Sequence, residues 1–295
     1  MPSDLATRLA EGPPLLLDGA TGTELERRGA RSQLPLWSAH ALVEDPDLVG
    51  RIHADYVQAG AQILTANTFR TQRRTLVRGG LGERAAELTA LAVELARHAA
   101  AETAPHREVL VAGSAPTLED CFRPDLVPDD AALAREHTEH AAHLAKAGVD
   151  AILVETMNTS REAVAALRAA RGTGVPALAS FVCSAGPRLL SGEALEDALA
   201  AAEMEDPLAV LVNCLPPSKV AACLPALRAS GLPFGVYANL GEPEDERGLA
   251  RSEDCAPEEF AEWASAWLDA GARIVGGCCG TTPAHVRAIA QRMRK

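Results

Sequence analysis

Two adjacent cysteines, Cys278 and Cys279, follow a short β-branched run and two glycines in the segment RIVGGCCGTTPAHV. Neighbouring cysteines pair poorly with each other, because the small ring would strain the peptide between them. Each becomes a soft anionic ligand once its thiol loses a proton. A third cysteine, Cys214, ends another apolar run, AVLVNC. These three thiols are therefore candidates for one metal site.

Three thiolates and one open coordination position are typical of a catalytic zinc site, whereas structural zinc sites are closed by four protein ligands. Thiolates favour zinc over magnesium or calcium. A zinc ion held by three thiolates is a weak Lewis acid, and it suits stabilising a fourth thiolate. A substrate thiol bound there would lose its proton near neutral pH and become nucleophilic. This pattern indicates alkyl transfer onto a thiol rather than hydrolysis.

Two other interpretations of these cysteines remain open. Cys214 could be a small buried hydrophobic residue, which is a common fate of intracellular cysteines. The vicinal pair could be a redox site, although it lacks the C-x-x-C spacing. The remaining four cysteines lack comparable neighbours and are predicted to be spectators: Cys121, Cys183, Cys223 and Cys255.

The elements that must position these thiols alternate along the chain. Short apolar, β-branched runs are followed by longer segments of helical period. One such segment, 45–60, begins with an acid–proline pair and stops at a glycine, and Pro225 is predicted to kink or shorten a later helix. The strand-like runs lie near 15–19, 61–67, 109–114, 151–156, 177–182, 209–214, 233–239 and 273–279.

Eight strand–helix units predict parallel strands joined by right-handed crossovers, and eight strands close a (β/α)8 TIM barrel. We expect residues 1–295 to form a single domain of this kind. The alternative is an open doubly wound sheet, but the turn DGATGTE does not match G-x-G-x-x-G. Long loops are predicted at 113–130 and 239–259, after the third and seventh strands, and one or the other is expected to close the pocket.

Polar residues end several of the predicted strands, at the side of a barrel where the loops converge. Asp18 ends the first strand, Asn67 the second and Glu155 the fourth. Asn213 precedes Cys214 at the sixth strand, and Asn239 ends the seventh. We expect these side chains and the thiols to face one site.

Composition excludes several classes of function. The 295-residue chain has a net charge of −12 and only 3% aromatic residues, which argues against nucleic-acid binding. No apolar run reaches the roughly 20 residues of a membrane-spanning helix. The N-terminus lacks the pattern of a secretion signal, so we expect a cytoplasmic protein with reduced thiols. The oligomeric state is not indicated.

Five segments in the same order, LLLDGATGTELERRG, ILTANTFRT, ILVET, VNC and GGCCGTTPAHV, resemble the homocysteine S-methyltransferase family. The match spans roughly residues 13–292. The resemblance implies a zinc-dependent (β/α)8 barrel whose relatives use S-methylmethionine, betaine or a methylated corrinoid as methyl donor. The segment SFVCSAGPRLLSGE is most similar to the S-methylmethionine-using branch, although VYAN (236–239) lacks the proline of that branch's VYPN.

The resemblance also implies roles for individual residues. Cys214, Cys278 and Cys279 match the ligands of Zn²⁺. Glu155 matches an acid that holds the ammonium group of homocysteine, and Arg70 stands where some relatives have another side chain. The remaining substrate-binding candidates are Asp18, Gly19, Ala20, Thr21 and Gly22 in the first turn, Asn67, Thr68 and Phe69 in the second loop, and Asn213, which could instead only position Cys214.

The activity implied is transfer of a methyl group from a sulfonium donor, S-methylmethionine first, to the thiol of L-homocysteine to give L-methionine. Betaine, S-adenosylmethionine or a methylated corrinoid remain possible donors, and a corrinoid would need a partner domain. Betaine ranks lower because its quaternary ammonium needs an aromatic cage and aromatic residues are few. A non-catalytic zinc or thiol sensor and a metal hydrolase are the alternatives outside this class. The expected partners are small-molecule substrates.

Overall fold

A computed structural model describes residues 5–184, 186–241 and 255–294. Eight strands alternate with helices along the chain. The strands are β1 Leu15–Leu16, β2 Ile63–Ala66, β3 Leu110–Ala115, β4 Ala151–Met157, β5 Ala177–Phe181, β6 Ala209–Asn213, β7 Phe234–Ala238 and β8 Ile274–Gly277. The α-helices are α1 Leu5–Glu11, α2 Gly22–Arg27, α3 Ala39–Glu44, α4 Pro46–Ala59, α5 Arg73–Arg78, α6 Ala85–Thr103, α7 Asp130–Ala147, α8 Ser160–Thr173, α9 Leu195–Glu203, α10 Pro217–Val220, α11 Leu224–Ala229, α12 Pro257–Asp269 and α13 Pro283–Met293.

The sheet is a closed parallel barrel. Its strands follow the order β1-β8-β7-β6-β5-β4-β3-β2, and each named pair is parallel. A parallel bridge between Leu17 and Ile63 joins β1 to β2, and the Asp18 amide donates to the Ile63 carbonyl at 3.0 Å. The predicted (β/α)8 barrel is therefore confirmed, and the open-sheet alternative is wrong.

Two apolar layers surround the strands. Side chains that point inward, such as Leu153, Leu211 and Ile274, fill the barrel interior. Leu5 and Leu9 of α1 join this interior cluster, so the first helix covers the N-terminal end of the barrel. The sequence-based prediction did not include α1. Side chains that point outward pack against the surrounding helices in a larger cluster.

Local signals in the sequence explain several helix boundaries. The Asp45 side chain accepts a hydrogen bond from the Leu48 amide at 3.0 Å, Pro46 is the first helical residue of α4, and Gly60 ends it at φ 117°. Such an N-cap acid and a left-handed C-cap glycine satisfy backbone groups that a helix leaves unpaired at its ends. Pro225 sits in the first turn of α11, and the helical segment around it is split into α10 and α11, as predicted.

Of the two long loops, the one after β3 is described in full and the one after β7 in part. The loop after β3 spans 116–129 and contains one turn of 3-10 helix, Pro124–Leu126. Residues 242–254 of the predicted loop at 239–259 lie outside the described residues. Among the described residues, no helix is long and apolar enough to cross a membrane.

Candidate active site

Three thiols meet at the C-terminal ends of β6 and β8. The Sγ atoms of Cys214, Cys278 and Cys279 all lie within 4.8 Å of one another, and the Cys214–Cys278 pair is 3.0 Å apart. Cys214 and Cys279 are buried and Cys278 is half-buried. Their proximity was predicted from strand order alone, because next-but-one strands of a barrel direct their tips toward one centre.

The backbone around Cys214 is held in an uncommon conformation. Cys214 has φ 55° and Thr156, at the end of β4, has φ 58°. Positive φ is unfavourable for residues other than glycine, particularly for a β-branched one, so surrounding contacts must hold both residues there. The Asn213 Oδ1 atom accepts from the Thr156 amide at 3.2 Å and from the Ser180 hydroxyl at 2.7 Å, and Asn213 Nδ2 donates to Thr156 Oγ1 at 2.8 Å.

A second asparagine and a threonine fix the cysteine pair. The Cys279 amide donates to Asn239 Oδ1 at 3.1 Å, and the Thr281 hydroxyl donates to the Cys278 carbonyl at 2.7 Å. Gly277 is required for this arrangement, because a Cβ atom there would lie 2.3 Å from Thr281 Oγ1. Gly277 therefore permits close approach of the following turn, and Gly276 permits close approach of Leu17, whose Cβ would lie 2.7 Å from an added Cβ.

The thiol cluster fits a tetrahedral metal. Zinc–sulfur bonds of about 2.3 Å place tetrahedral sulfur ligands about 3.8 Å apart. The Cys214–Cys278 pair, 3.0 Å apart, would reach that spacing by opening less than about 1 Å, and all three Sγ atoms lie within 4.8 Å of one another. Hydrogen bonds within the cluster lower the pKa of Cys278 and raise the pKa of Cys214, and the pKa of Cys279 is also raised, so without a metal one thiolate is stabilised by thiol donors. His285 lies elsewhere: its Nε2 atom is 3.1 Å from the Cys255 carbonyl, and its Nδ1 atom caps α13.

A cleft of about 720 Å³ opens beside the thiols. It brings together the cysteines and most of the predicted substrate-binding residues, but Thr68 and Asn213 do not line it. Thr68 is buried, and its hydroxyl donates to the Ser114 carbonyl at 2.9 Å. The predicted residues that line the cleft are Asp18, Gly19, Ala20, Thr21, Gly22, Asn67, Phe69, Glu155, Cys214, Cys278 and Cys279.

Two buried carboxyl groups face the cleft. Glu155 accepts hydrogen bonds from the Ser114 hydroxyl and, at 3.0 Å, from the Tyr237 hydroxyl. Burial raises the pKa of Glu155 to about 7, although the bond from Ser114 opposes this shift. Asp18 accepts from the Thr65 amide at 2.8 Å, and burial raises its pKa well above the usual range. Both acids therefore favour a cationic partner that would compensate their charge.

The first turn is shaped by close approach. A Cβ atom on Gly22 would lie 2.2 Å from the Trp37 ring, and one on Gly19 would lie 2.8 Å from Thr281 Oγ1 and from the Tyr56 ring. The Ala20 amide donates to Thr281 Oγ1 at 3.2 Å. These glycines therefore let the turn pack between an aromatic ring and the turn after β8.

Several cleft residues were missed by sequence reasoning. Trp37 and Phe122 project from loops, and no periodic pattern could place their rings. Cys121 was predicted to be a spectator, but it lines the cleft. Tyr237 could have been found from its place just before the end of the seventh strand. The other missed lining residues are Leu17, Ser38, Thr65, Ala66, Ser114, Thr156 and Gly277.

Two aromatic residues of the wall, Trp37 and Phe69, form one group with Arg70. The Trp37 and Phe69 rings meet edge to face, with centroids 6.1 Å apart. The Arg70 guanidinium carbon lies 5.5 Å from the Phe69 centroid and 5.9 Å from the Trp37 centroid. Cation–π attraction within about 6 Å orders such contacts, so Arg70 supports this wall.

A (β/α)8 barrel with a thiol cluster and two buried acids at the C-terminal ends of its strands defines a class of barrel with a thiol-rich site at its loop end. A family model described as homocysteine S-methyltransferase matches residues 15–293. The chain belongs to the homocysteine S-methyltransferase family, as the sequence segments predicted.

Relatives of known name cover nearly the whole chain. Homocysteine S-methyltransferase of Escherichia coli strain K12 is 36% identical over 94% of this chain and 94% of its own. Homocysteine S-methyltransferase 3 of Arabidopsis thaliana is 33% identical over 98% and 93%, respectively. Selenocysteine Se-methyltransferase of Brassica oleracea var. italica is 30% identical over 94% and 88%.

A solved structure shares the fold over the full length. The metallated form of the homocysteine methyltransferase MmuM from Escherichia coli superposes with a TM-score of 0.85 at 31% identity, covering 97% of this chain and 99% of that one. The barrel and the family membership therefore rest on independent comparisons.

Proposed function

We propose that the protein transfers a methyl group from S-methylmethionine to the thiol of L-homocysteine, using Zn²⁺ held by Cys214, Cys278 and Cys279. The sulfur of homocysteine attacks the donor methyl carbon, and the donor sulfur leaves as a neutral thioether. One proton is released from the acceptor thiol, and both products are L-methionine. The observation that carries this proposal is a cluster of three thiols in the same cleft as two buried carboxyl groups.

The metal would supply one property, which is stabilisation of the acceptor sulfur as a thiolate near neutral pH. The chain itself provides a ligand set without histidine or carboxylate, which is more suited to thiolate stabilisation than to hydrolysis. The buried positions of Cys214 and Cys279 also exclude water from that side of the cleft.

The amino-acid part of homocysteine is proposed to bind at the two acids in the same cleft. Glu155, which accepts hydrogen bonds from Ser114 and Tyr237, would pair with the α-ammonium group, and Asp18 would add a second acid. The turn 18–22 and Asn67 line the same space. Fixing both ends of the acceptor would hold its sulfur in line with the donor methyl, which is a large source of rate in two-substrate reactions.

The donor is proposed to be a cation. Trp37, Phe69, Phe122 and Tyr237 line the cleft, so aromatic residues are concentrated there although the whole chain has few. Aromatic faces attract onium groups. The cluster supports a sulfonium donor and equally accommodates the quaternary ammonium of betaine, so the ranking of donors is decided by experiment.

The test incubates purified, zinc-loaded protein with homocysteine and each donor separately, and measures methionine formation and bound metal. We expect methionine with S-methylmethionine, and loss of both metal and activity in Cys278→Ser. Cys255→Ser is the matched control, because Cys255 is buried away from the cleft and should leave both readouts intact. Full activity of a metal-free Cys278→Ser protein would contradict the mechanism, and methionine from none of the donors would contradict the function.

A further inference from the structure

The segment 117–122, after β3, carries an aromatic ring onto the thiol cluster. Phe122 packs against a small apolar cluster formed by Val182, Cys214 and Cys279, and it also lines the cleft. Leu190 contacts the same cluster from the loop after β5. One ring therefore borders both the proposed metal ligands and the space left for substrates.

Three side chains fix the backbone of this segment. The Gln72 side chain donates to the Thr117 carbonyl at 3.0 Å, and the Asn158 side chain donates to the Cys121 carbonyl at 3.0 Å. Glu162, which is fully buried in α8, accepts from the Leu118 amide at 2.7 Å. Hydrogen bonds to a buried carboxylate are stronger than neutral ones, and their loss leaves a buried group unpaired.

Ion pairs on the outer side of the segment reinforce these bonds. Glu119 Oε1 lies 2.9 Å from Arg74 Nη1 and 2.6 Å from Arg78 Nη2, so α5 contacts the segment. Arg74 also contacts Glu136 of α7 through two hydrogen bonds of 2.7 and 2.8 Å. Networks of this kind define geometry better than single surface pairs do.

These contacts change the role expected for this loop. The loop after β3 was one of two predicted to close the pocket, but its segment 117–122 is anchored from α5, the end of β4 and α8. A segment with this many buried partners opens only at a free-energy cost that a mobile lid would not have. It is a fixed part of the cleft wall.

We propose that Phe122 is a specificity-determining residue that limits the size of the methyl donor and covers the thiols, and that Glu162 is its positioning residue. The specificity part rests on the proposed function. A fixed ring rejects larger donors by overlap, and it keeps water and other reagents from the sulfur atoms. Neither role needs Phe122 to move during the reaction.

The first experiment compares three sulfonium donors of increasing size: trimethylsulfonium, S-methylmethionine and S-adenosylmethionine. In Phe122→Ala we expect kcat/KM for S-adenosylmethionine to rise about tenfold relative to S-methylmethionine, because pocket shape typically discriminates by 10-fold or more. Phe122→Leu should lie between the wild type and the alanine variant. The control Phe260→Leu removes a buried ring between α12 and α13, away from the cleft, and should leave the donor ratio unchanged. A ratio in Phe122→Ala within twofold of the wild type would overturn the specificity role.

The second experiment uses the metal-free protein and the rate at which its thiols react with the disulfide reagent DTNB. Cys278 is the half-buried cysteine and the others are buried. We expect Phe122→Ala and Glu162→Ala to react several-fold faster than the wild type, whereas Glu162→Gln, which keeps an acceptor for the Leu118 amide, restores the slow rate. Glu205→Ala is the control. Glu205 is a buried acid, and its ion-pair partner Arg168 lies on the far side of α8.

These two measurements separate the proposals. If the wild type uses no donor, the proposed function and the specificity role fail, and the thiol reaction still decides whether Phe122 covers the cluster. Equal reaction rates in all variants would overturn that covering role. If Glu205→Ala accelerates the reaction as much as Glu162→Ala does, Glu162 acts only through general stability.

Discussion

At the scale of single residues, the thiols could be predicted from sequence and the aromatic wall could not. Cys214, Cys278 and Cys279 end strands, and a strand end has a fixed position in a barrel. Trp37 and Phe122 lie on loops, where the direction of a ring depends on contacts such as those of Gly22 and Glu162. Such contacts follow no regular spacing along the sequence, so the sequence alone does not predict them.

Glu155 shows how burial prepares one side chain for a ligand. Burial raises its pKa from an ordinary 4.5 to about 7, so between these values the folded protein holds a proton on Glu155 that the unfolded chain has lost. The stability that Glu155 contributes is therefore full below about pH 4.5 and is lost as the pH rises through about 7. An ammonium group would favour the ionised form and reverse this preference. The carboxyl group is therefore poised to respond to an amino-acid ligand.

We predict that the affinity for L-methionine, a ligand without a titratable thiol, increases as pH rises through about 7 and Glu155 ionises. Titration calorimetry from pH 5.5 to 8.5 measures this dependence. Glu155→Gln should bind more than about tenfold more weakly at pH 8, since a charged hydrogen bond is lost, and should lack the rise. An unchanged pH profile in Glu155→Gln would assign the titration to another group, such as Asp18.

At the scale of elements, the ends of β4 and β6 are coupled through one amide side chain. Asn213 was predicted to contact substrate or only to position Cys214, and its hydrogen bonds go to Thr156 and Ser180 rather than into the cleft. The sequence showed that an asparagine ends the strand, but it could not show that Thr156, two strands away in β4, has a positive φ that needs support.

Asn213→Ala is predicted to destabilise the protein by about 2–4 kcal/mol, because the Thr156 amide and the Ser180 hydroxyl lose a buried acceptor. Urea unfolding measures the change. Asn213→Asp keeps an acceptor for both donors and should be milder, although it introduces a buried charge. We also expect weaker metal binding in the alanine variant, since Cys214 follows directly. Wild-type stability and metal affinity in Asn213→Ala would show that the strand ends hold without this bond.

At the scale of the whole molecule, residues that stabilise the N-terminal end of the barrel lie far from the thiols and acids of the cleft. The alternation of eight strands and helices predicted this architecture, because strand-like runs, helical periods and the end signals of helices such as α4 agree with the same fold. The N-terminal helix was missed, since its seven residues, LATRLAE, are too short to show a clear period. We propose that residues 1–295 form a single domain around this barrel.

The N-terminal end of the barrel should therefore affect stability without affecting turnover. Leu9 is buried in the interior cluster, and its carbonyl accepts from the Arg273 side chain at 2.9 Å, next to the start of β8. Leu9→Ala is predicted to lower the free energy of unfolding by about 2–4 kcal/mol, the usual effect of a cavity at a buried leucine. The control Met204→Ala alters an exposed side chain and should change the free energy of unfolding by less than about 0.5 kcal/mol.

Because the thiols lie at the opposite end of the strands, kcat/KM of Leu9→Ala, measured well below its melting temperature, should stay within twofold of the wild type. Urea unfolding and steady-state kinetics on the same preparations make this comparison. A tenfold loss of kcat/KM with unchanged stability would show that the two ends of the barrel are coupled. The apolar layers between them, such as Leu153 and Leu211, would then have to transmit a change in packing from α1 to the cleft.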